Sequence, residues 1–164
     1  MTAAPPIPPC GGPAALEACS VFEAAQVLPG RPQEVFPFFA DALNLEAITP
    51  PWLNFKVLTA GPIEMREGAL IDYRLRWRVF PVRWRTRIAM WEPPHRFVDE
   101  QLRGPYRRWH HAHTFESHPD GTLMTDRVEY RAPMAWISHA LVVRRDVERI
   151  FAYRRERLRT IFGT

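Results

Sequence analysis

The sequence predicts an α+β fold: a curved antiparallel sheet of seven strands wrapped around a long C-terminal helix, with two short helices after the first strand. Between residues 54 and 131 the apolar side chains recur at every second position, in six runs that short turns separate. From Ala135 to Phe162 the spacing becomes helical. A sheet of this size cannot bury one face against two short helices alone, so we expect it to curl around the terminal helix.

The chain has 164 residues, of which 46% are hydrophobic, enough for one sizeable core. Residues 1–17 are rich in Pro, Ala and Gly, and we predict a disordered tail there. Residues 18–164 are predicted to form a single domain. Its first strand is predicted at Ser20 to Leu28, and the segment RPQEVFPFFADALNLEAI reads as the two short helices, with Val35, Phe36, Phe39, Leu43 and Ile48 on their apolar side.

The other predicted strands are Asn54 to Ala60, Ala69 to Val79, Val82 to Trp91, Arg96 to Arg103, Arg107 to Ser117 and Leu123 to Arg131. A hairpin around Phe80 and Pro81 would place Arg78 opposite Arg83 and Trp77 opposite Trp84. This register turns the aromatic side chains inward and six arginines outward.

The net charge of +4 selects no partner by itself, but the outward arginines favour a nucleic-acid or anionic-membrane surface. Two observations argue against it. Aromatic side chains that stack on bases lie on the same face as the basic residues, whereas here they alternate away from the arginines. Glu100 and Glu129 also have the outward parity needed to pair with arginines. We therefore predict neither a nucleic-acid partner nor membrane insertion.

The N-terminal residues lack the basic and apolar regions of a signal peptide, and no run approaches the roughly 20 apolar residues that span a bilayer. Cys10 and Cys19 are the only cysteines, and Cys10 lies in the predicted tail, where no defined disulfide geometry is to be assumed. A reducing compartment fits this usage, so we predict a cytoplasmic protein.

The motif WHHAHTF, residues 109–115, concentrates three histidines in one predicted strand. Side chains alternate along a strand, so Trp109, His111, His113 and Phe115 share the inner face, and His110 is a surface residue. The same parity turns Asp99 and Gln101 inward on the strand before, and Asp126 and Tyr130 inward on the strand after. We expect Asp99 near His111 and Asp126 level with His113.

Two histidines at i and i+2 with nearby carboxylates can bind a metal, and the motif superficially resembles the H-x-H strand of cupins. The spacing departs from that pattern: six residues lie between Gly104 and His111, and Glu116 has outward parity. We therefore expect hydrogen-bonded core histidines with no metal and no cofactor.

The same histidines and aspartates could instead serve in acid and base catalysis. The candidate catalytic residues are His111, His113, Asp99 and Asp126. Covalent catalysis and nucleotide hydrolysis are not expected. No cysteine is near the cluster, Ser138 and His139 have no nucleophile-elbow context, and no glycine-rich loop suits a phosphate.

A binding pocket is the third use, because aromatic walls with a few convergent polar groups are typical of small-molecule sites. The candidate ligand-binding residues are Trp52, Tyr73, Trp77, Trp84, Asp99, Gln101, Trp109, His111, His113, Asp126 and Tyr130. The alternative is a collapsed core in which the tryptophans simply touch the terminal helix.

The segments NLEAITPPWLNFKV, IAMWEPPHRFVDEQLRGPYRRWHHAHTF, MTDRVEYRAP and IFAYRRERL, together with the order of the elements, resemble the SRPBCC or START-like superfamily, which is polyketide cyclase-like. The chain is most similar to its bacterial ligand-binding group, over residues 19–162. The resemblance implies the helix-grip fold, with an apolar cavity between the sheet and the last helix. It also implies a small hydrophobic ligand such as a lipid, a polyketide or an aromatic molecule.

Binding of such a ligand, with the Asp/His cluster orienting its polar group, is the function we predict from the sequence. A cyclase or dehydratase that uses His111 or His113 as general acid or base is one alternative, and a structural or protein-interaction module without a ligand is another. Single His111→Ala and His113→Ala variants separate the first two, because an enzyme would lose turnover while still binding its ligand.

Overall fold

The computed structural model describes residues 19–132 and 140–163, and it has the predicted α+β architecture. Its strands are β1 (Ser20–Leu28), β2 (Lys56–Val57), β3 (Leu70–Trp77), β4 (Phe80–Glu92), β5 (Arg96–Arg103), β6 (Arg108–His118) and β7 (Gly121–Arg131). Its α-helices are α1 (Pro32–Phe39), α2 (Leu45–Ile48) and α3 (Ala140–Phe162), and single 3-10 turns occupy Ala42–Asn44 and Pro51–Leu53.

All seven strands belong to one antiparallel sheet in the order β1-β7-β6-β5-β4-β3-β2. The five strands from β3 to β7 are joined in sequence as neighbours, whereas β1 and β2 lie at opposite edges. The chain therefore crosses the whole sheet between β1 and β2, and the two short helices carry this crossing. The prediction of helix-grip topology is confirmed.

The predicted strand ends are correct for β1 and β5, whereas β2 is much shorter than the predicted Asn54 to Ala60. Its pairing with β3 becomes irregular beyond Val57. The backbone N–H groups of Leu58 and Thr59 both donate to the carbonyl oxygen of Asp72, and the Thr59 hydroxyl accepts from the Asp72 N–H. The Thr59 side chain thus takes the place of one backbone hydrogen bond between the strands, and an alternating sequence pattern does not predict such a replacement.

The predicted register of the β3–β4 hairpin is wrong by four residues. Trp77 pairs with Phe80 and not with Trp84, and Tyr73 is the partner of Trp84. The turn consists of Arg78 and Val79, and Arg78 has φ 57, a left-handed conformation that a non-glycine residue seldom adopts. Because the shift is an even number of residues, every side chain keeps its predicted face.

On the convex face, several outward arginines of the hairpin have acidic partners. Arg85 contacts Asp72 at 2.8 Å and Arg87 contacts Glu100 at 2.9 Å. Glu100 is fully buried although its side chain points away from the concave side. Its predicted pairing with an arginine of the hairpin is confirmed, whereas Glu129 lies 3.4 Å from Arg127 of its own strand β7.

The concave side of the sheet holds the core. At one end α1 packs Val35, Phe36 and Phe39 against Phe115 of β6, while α3 adds Leu158. At the other end Val143, Val147 and Phe151 of α3 pack against Val128 and Tyr130 of β7. Leu43, predicted to share the apolar side of the short helices, is 50% exposed.

Some predictions fall outside the described residues: the tail at 1–17, the helical residues 135–139 with Trp136, and Ser138 and His139. Cys19 is disulfide-bonded, contrary to the sequence-based expectation of reduced cysteines, and Cys10 lies outside the described residues. Disulfides are usual in oxidising compartments, so cysteine usage no longer supports the predicted cytoplasmic location. Within the described ranges, no helix is both long and apolar enough to cross a membrane.

Candidate functional site

A cavity of about 180 Å³ lies on the concave side, between the sheet and α3. Its wall is mainly aromatic and aliphatic. The strands contribute Ile71, Tyr73, Leu75, Trp77, Trp84, Ile88, Phe97 and Trp109, and the helices and loops contribute Phe38, Phe39, Leu45, Ile48, Leu53, Phe55, Met65, Tyr106, Val147, Ile150 and Phe151. Polar side chains enter the wall where β4, β5 and β6 face α3, namely Thr86, Asp99, His111, His113 and Arg154. Three further polar residues line it beside the short helices, namely Asp41, Asn44 and Thr49.

The two inward histidines of β6 occupy the centre of this polar area. His111 is 5% exposed and His113 is 4% exposed, as the alternation of the strand predicts. Phe97 stacks on the His113 ring with centroids 4.1 Å apart, and Phe151 meets the His111 ring edge-on at 5.5 Å. The imidazoles are therefore fixed in place by aromatic neighbours from both the sheet and α3.

A carboxylate from each neighbouring strand reaches the two rings. In backbone register, Asp99 of β5 lies opposite His111 and Asp126 of β7 lies opposite His113, as predicted. The shortest hydrogen bonds nevertheless run diagonally. His111 Nε2 lies 2.9 Å from Asp126 Oδ1, and His113 Nε2 lies 3.0 Å from Asp99 Oδ2.

Each ring also presents its second nitrogen to the other carboxylate. His111 Nδ1 lies 3.4 Å from Asp99 Oδ2. His113 Nδ1 lies 2.8 Å from Asp126 Oδ1, at an angle outside hydrogen-bond geometry. We call these four side chains the Asp/His cluster. In the cluster, one nitrogen of each imidazole faces Asp99 and the other faces Asp126.

Arg154 of α3 joins the cluster from the opposite wall. Its Nη1 lies 3.6 Å from Asp126 Oδ1, and its guanidinium lies over the Phe151 ring at 5.2 Å from the centroid. The side chain is only 12% exposed, and Nη1 has no hydrogen-bond partner among the described residues. A buried cation beside two carboxylates lowers the cost of keeping both of them charged.

The pKa directions follow from burial and these neighbours. Burial alone would raise the pKa of Asp126, but Arg154 and the two imidazoles outweigh it and hold this pKa well below its usual value. Burial lowers the pKa of His111 to about 4, and His113 adds to that effect. Burial opposes the charge on His113 as well, but its contacts with Asp126 and Asp99 raise its pKa overall. The two aspartates therefore favour the charged form of His113, and Arg154 favours the charged form of both aspartates.

A neutral hydrogen-bonded group adjoins Asp99. The hydroxyl groups of Tyr73 and Thr86 lie 2.7 Å apart, and the Trp84 indole donates to the Thr86 hydroxyl at 3.1 Å. Burial, followed by the charge of Asp99, raises the pKa of Tyr73 above its usual value. Tyr73 is therefore a neutral phenol that can donate or accept a hydrogen bond at the edge of the cavity.

Seven of the eleven predicted ligand-binding residues line the cavity, namely Tyr73, Trp77, Trp84, Asp99, Trp109, His111 and His113. Asp126 lies behind the two imidazoles and lines a separate small pocket. Gln101 is absent from the wall, because its amide hydrogen-bonds the Tyr106 backbone and shapes the β5–β6 loop. Tyr130 belongs to the core under α3, and Trp52 packs on Tyr153 at the surface.

The sequence-based list missed Arg154, although the sequence contains a signal for it. Arg154 follows Val147 by seven residues and Phe151 by three, so it lies on the face of α3 that turns toward the sheet. A single basic residue within an apolar helical stripe indicates a buried charge that needs partners. Thr86 and Tyr106 were also missed, and only the tertiary fold brings them to the cavity.

Comparisons with known proteins agree with this architecture. Residues 28–159 match the family described as polyketide cyclase/dehydrase and lipid transport. The chain belongs to this family. Polyketide cyclases, dehydrases and lipid transporters all handle hydrophobic small molecules. No curated protein matches the chain.

Several solved structures share the fold. The protein CV1439 of Chromobacterium violaceum is 16% identical, with a TM-score of 0.67 over 88% of this chain and 99% of that one. The Zhui aromatase/cyclase of Streptomyces sp. R1128 is also 16% identical, with a TM-score of 0.62 over 88% of this chain and 96% of that one. The di-domain aromatase/cyclase StfQ of the steffimycin biosynthetic pathway is 11% identical, with a TM-score of 0.68 over 88% of this chain and 51% of that one.

Proposed function

We propose that the protein binds a small, largely apolar molecule that carries one polar oxygen, and that the Asp/His cluster and Arg154 orient this oxygen. The observation that carries the proposal is the cavity of about 180 Å³, in which a mainly apolar wall contains the polar area of Thr86, Asp99, His111, His113 and Arg154. Membership of a family named for polyketide chemistry and lipid transport supports a hydrophobic ligand.

The size and the wall of the cavity define the ligand class. An apolar cavity of about 150 Å³ is large enough to hold benzene, so this one suits a molecule of roughly one or two fused rings, or a short acyl chain. Trp84 and Trp109 meet edge-to-face with centroids 5.3 Å apart and present flat surfaces to such a molecule. Burial of its apolar surface would supply most of the affinity.

The polar area supplies orientation. Arg154 Nη1 is buried without a hydrogen-bond partner among the described residues, so a ligand oxygen beside it would satisfy a donor that is otherwise left unpaired. Asp99 and the imidazoles flank the same position. A hydroxyl or carbonyl oxygen at this point can accept from Arg154 and, as a hydroxyl, donate to Asp99.

Calorimetric titration with 2-naphthol and with naphthalene tests the proposal, because the two probes differ by one hydroxyl group. We expect both to bind and 2-naphthol to bind about tenfold more tightly, since one buried hydrogen bond contributes about 1.4 kcal/mol. Equal affinities would contradict the orienting role of the polar area, and no binding of either probe would contradict a ligand cavity.

A matched pair of α3 variants locates the site. Ile150 lines the cavity, and Ile150→Trp would place an indole inside it and abolish binding of both probes. Ile161, on the same helix, is 39% exposed and lies outside the wall, so Ile161→Trp should bind like the wild type. Circular dichroism and thermal melting would establish that both variants are folded.

A further inference from the structure

We infer that Asp99, His111 and His113 form a binding site for a divalent first-row transition-metal ion. The sequence favours hydrogen-bonded core histidines over metal ligands, and the geometry of the side chains reverses that preference. The inference is independent of the hydrophobic ligand, since the ion needs only these three residues and a route to them.

The three ligand atoms lie close together. One carboxylate oxygen and one nitrogen from each ring all lie within 4.8 Å of one another. Asp99 Oδ2 lies 3.0 Å from His113 Nε2 and 3.4 Å from His111 Nδ1. Ligands bonded to Zn²⁺ at about 2.0–2.1 Å in a tetrahedral arrangement are about 3.3 Å apart, which the two distances from Asp99 already approach.

The ring nitrogens that would not bind the ion give a second line of evidence, separate from the distances between the ligand atoms. Histidines that bind a metal usually donate their second ring N–H to a carboxylate, which fixes the tautomer and the ring orientation. Asp126 does this for His111, since its Oδ1 is hydrogen-bonded to His111 Nε2 at 2.9 Å; it also lies 2.8 Å from His113 Nδ1, but outside hydrogen-bond geometry. Asp126 is itself held by Arg154 at 3.6 Å. A hydrogen-bonded pair of core histidines does not need this arrangement of carboxylates on opposite sides.

Access to the site also agrees with the inference. Asp99, His111 and His113 all line the main cavity, whereas Asp126 lies behind the rings and does not. An ion can therefore reach the three ligands from the cavity, and its remaining coordination positions would point into it. Two histidines and one carboxylate with open positions suit Zn²⁺, Co²⁺ or Fe²⁺, and a water molecule or the ligand oxygen would fill the open side.

With both imidazoles neutral, as metal binding requires, the surroundings favour a further cation. Two carboxylates, Asp99 and Asp126, contact the imidazoles, and one arginine, Arg154, lies beside them with its Nη1 3.6 Å from Asp126 Oδ1. The charge of a buried divalent ion would be compensated here by one carboxylate that binds it and a second carboxylate nearby. Neutral side chains would leave that charge uncompensated.

Titration of the chelator-treated full-length chain with Co²⁺ alone tests the inference by visible absorption spectroscopy. We expect one equivalent to bind with the intense d–d bands of four- or five-coordinate cobalt, and Zn²⁺ to displace it. His113→Gln should weaken binding by more than about 100-fold, and Asp126→Asn by about 10- to 100-fold, the range seen for outer carboxylate partners.

His110→Gln is the matched control, because His110 is on the same strand with the opposite parity. It should bind Co²⁺ as the wild type does. Melting in the presence and absence of Zn²⁺ keeps the test valid for weakened variants: the ion should raise the Tm of the wild type and of His110→Gln but leave that of His113→Gln unchanged. Absence of Co²⁺ bands in the wild type, or bands lost in His110→Gln and retained in His113→Gln, would overturn the inference.

Discussion

Asp126 is the residue on which the polar area depends most. Its Oδ1 lies within 3.6 Å of both imidazoles and of Arg154, and its side chain is 8% exposed. Removing the charge of one partner in a buried ionic group leaves the others without compensation, and this is costly in a medium of low polarity.

We therefore expect Asp126→Asn to lower the free energy of unfolding of the metal-free protein by about 2–4 kcal/mol at neutral pH. Asp120→Asn is the control, since Asp120 is 85% exposed in the β6–β7 turn, and it should change the stability by less than about 0.5 kcal/mol. Urea unfolding followed by tryptophan fluorescence measures both. Similar values for the two variants would mean that Asp126 is not the centre of the ionic cluster.

The pH dependence of the same pair of proteins has a definite sign. The pKa of Asp126 is lower in the folded state than the value of about 3.9 in an unfolded chain. Its contribution to stability is therefore complete above the unfolded pKa and is lost as the pH falls through the folded one. The stability difference between wild type and Asp126→Asn should shrink when urea unfolding is repeated at pH 3, and a difference that grows in acid would contradict this sign.

At the scale of elements, alternation along β5, β6 and β7 was sufficient to place Asp99, His111, His113 and Asp126 on one face and to match the strands in pairs. The hairpin between β3 and β4 was not predictable in the same way. Its register depends on a left-handed Arg78, a residue type with no turn preference, so the sequence pointed to the neighbouring proline. The diagonal contacts of the cluster could not be predicted from the sequence either, because alternation along a strand determines the face of a side chain but not its rotamer.

The β6–β7 turn fixes the pairing that brings His113 opposite Asp126, and Gly121 makes this turn possible. Gly121 has φ 137, and a Cβ there would collide with the backbone carbonyl oxygen of Leu28 on β1. A backbone atom cannot move aside as a flexible side chain can. The turn is therefore closed to every residue with a side chain.

Gly121→Ala should consequently lower the free energy of unfolding by about 2–4 kcal/mol, from steric overlap added to the left-handed strain. Gly68→Ala separates the two effects, because Gly68 also has a positive φ, 82, but has open space around its Cβ position. We expect a loss of about 1 kcal/mol there. Equal losses in urea unfolding would show that contact with Leu28 contributes nothing.

At the scale of the whole molecule, the sequence predicted a sheet curled around the last helix, because seven strands need a large partner for one face. It did not predict the volume left between them. The volume of a cavity is the space that the backbone encloses minus the volume of the side chains inside it. The aromatic residues of this chain could line an open cavity or fill the core, and the sequence does not distinguish the two. Trp52 and Tyr130 illustrate this, since both lie away from the cavity wall.

A ligand that occupies this space should stabilise the whole fold. At 100 times its Kd, 2-naphthol would add about 2.7 kcal/mol to the free energy of unfolding and raise the Tm by about 5–10 °C. The shift should vanish in Ile150→Trp and persist in Ile161→Trp. Differential scanning fluorimetry with an extrinsic dye that stays outside the cavity, or calorimetry, provides the measurement, and an equal shift in both variants would place the ligand elsewhere.

The crossed contacts of the four side chains have one more consequence. Asp99 Oδ2 reaches both rings and Asp126 Oδ1 reaches both rings, so the contacts close into a loop in which every member has two neighbours. Deleting one imidazole leaves both carboxylates in contact with the remaining ring, whereas deleting both removes every ring contact of Asp99 and leaves Asp126 with Arg154. The double replacement should therefore cost more than the two single replacements added together, and a double-mutant cycle would report that cooperativity directly.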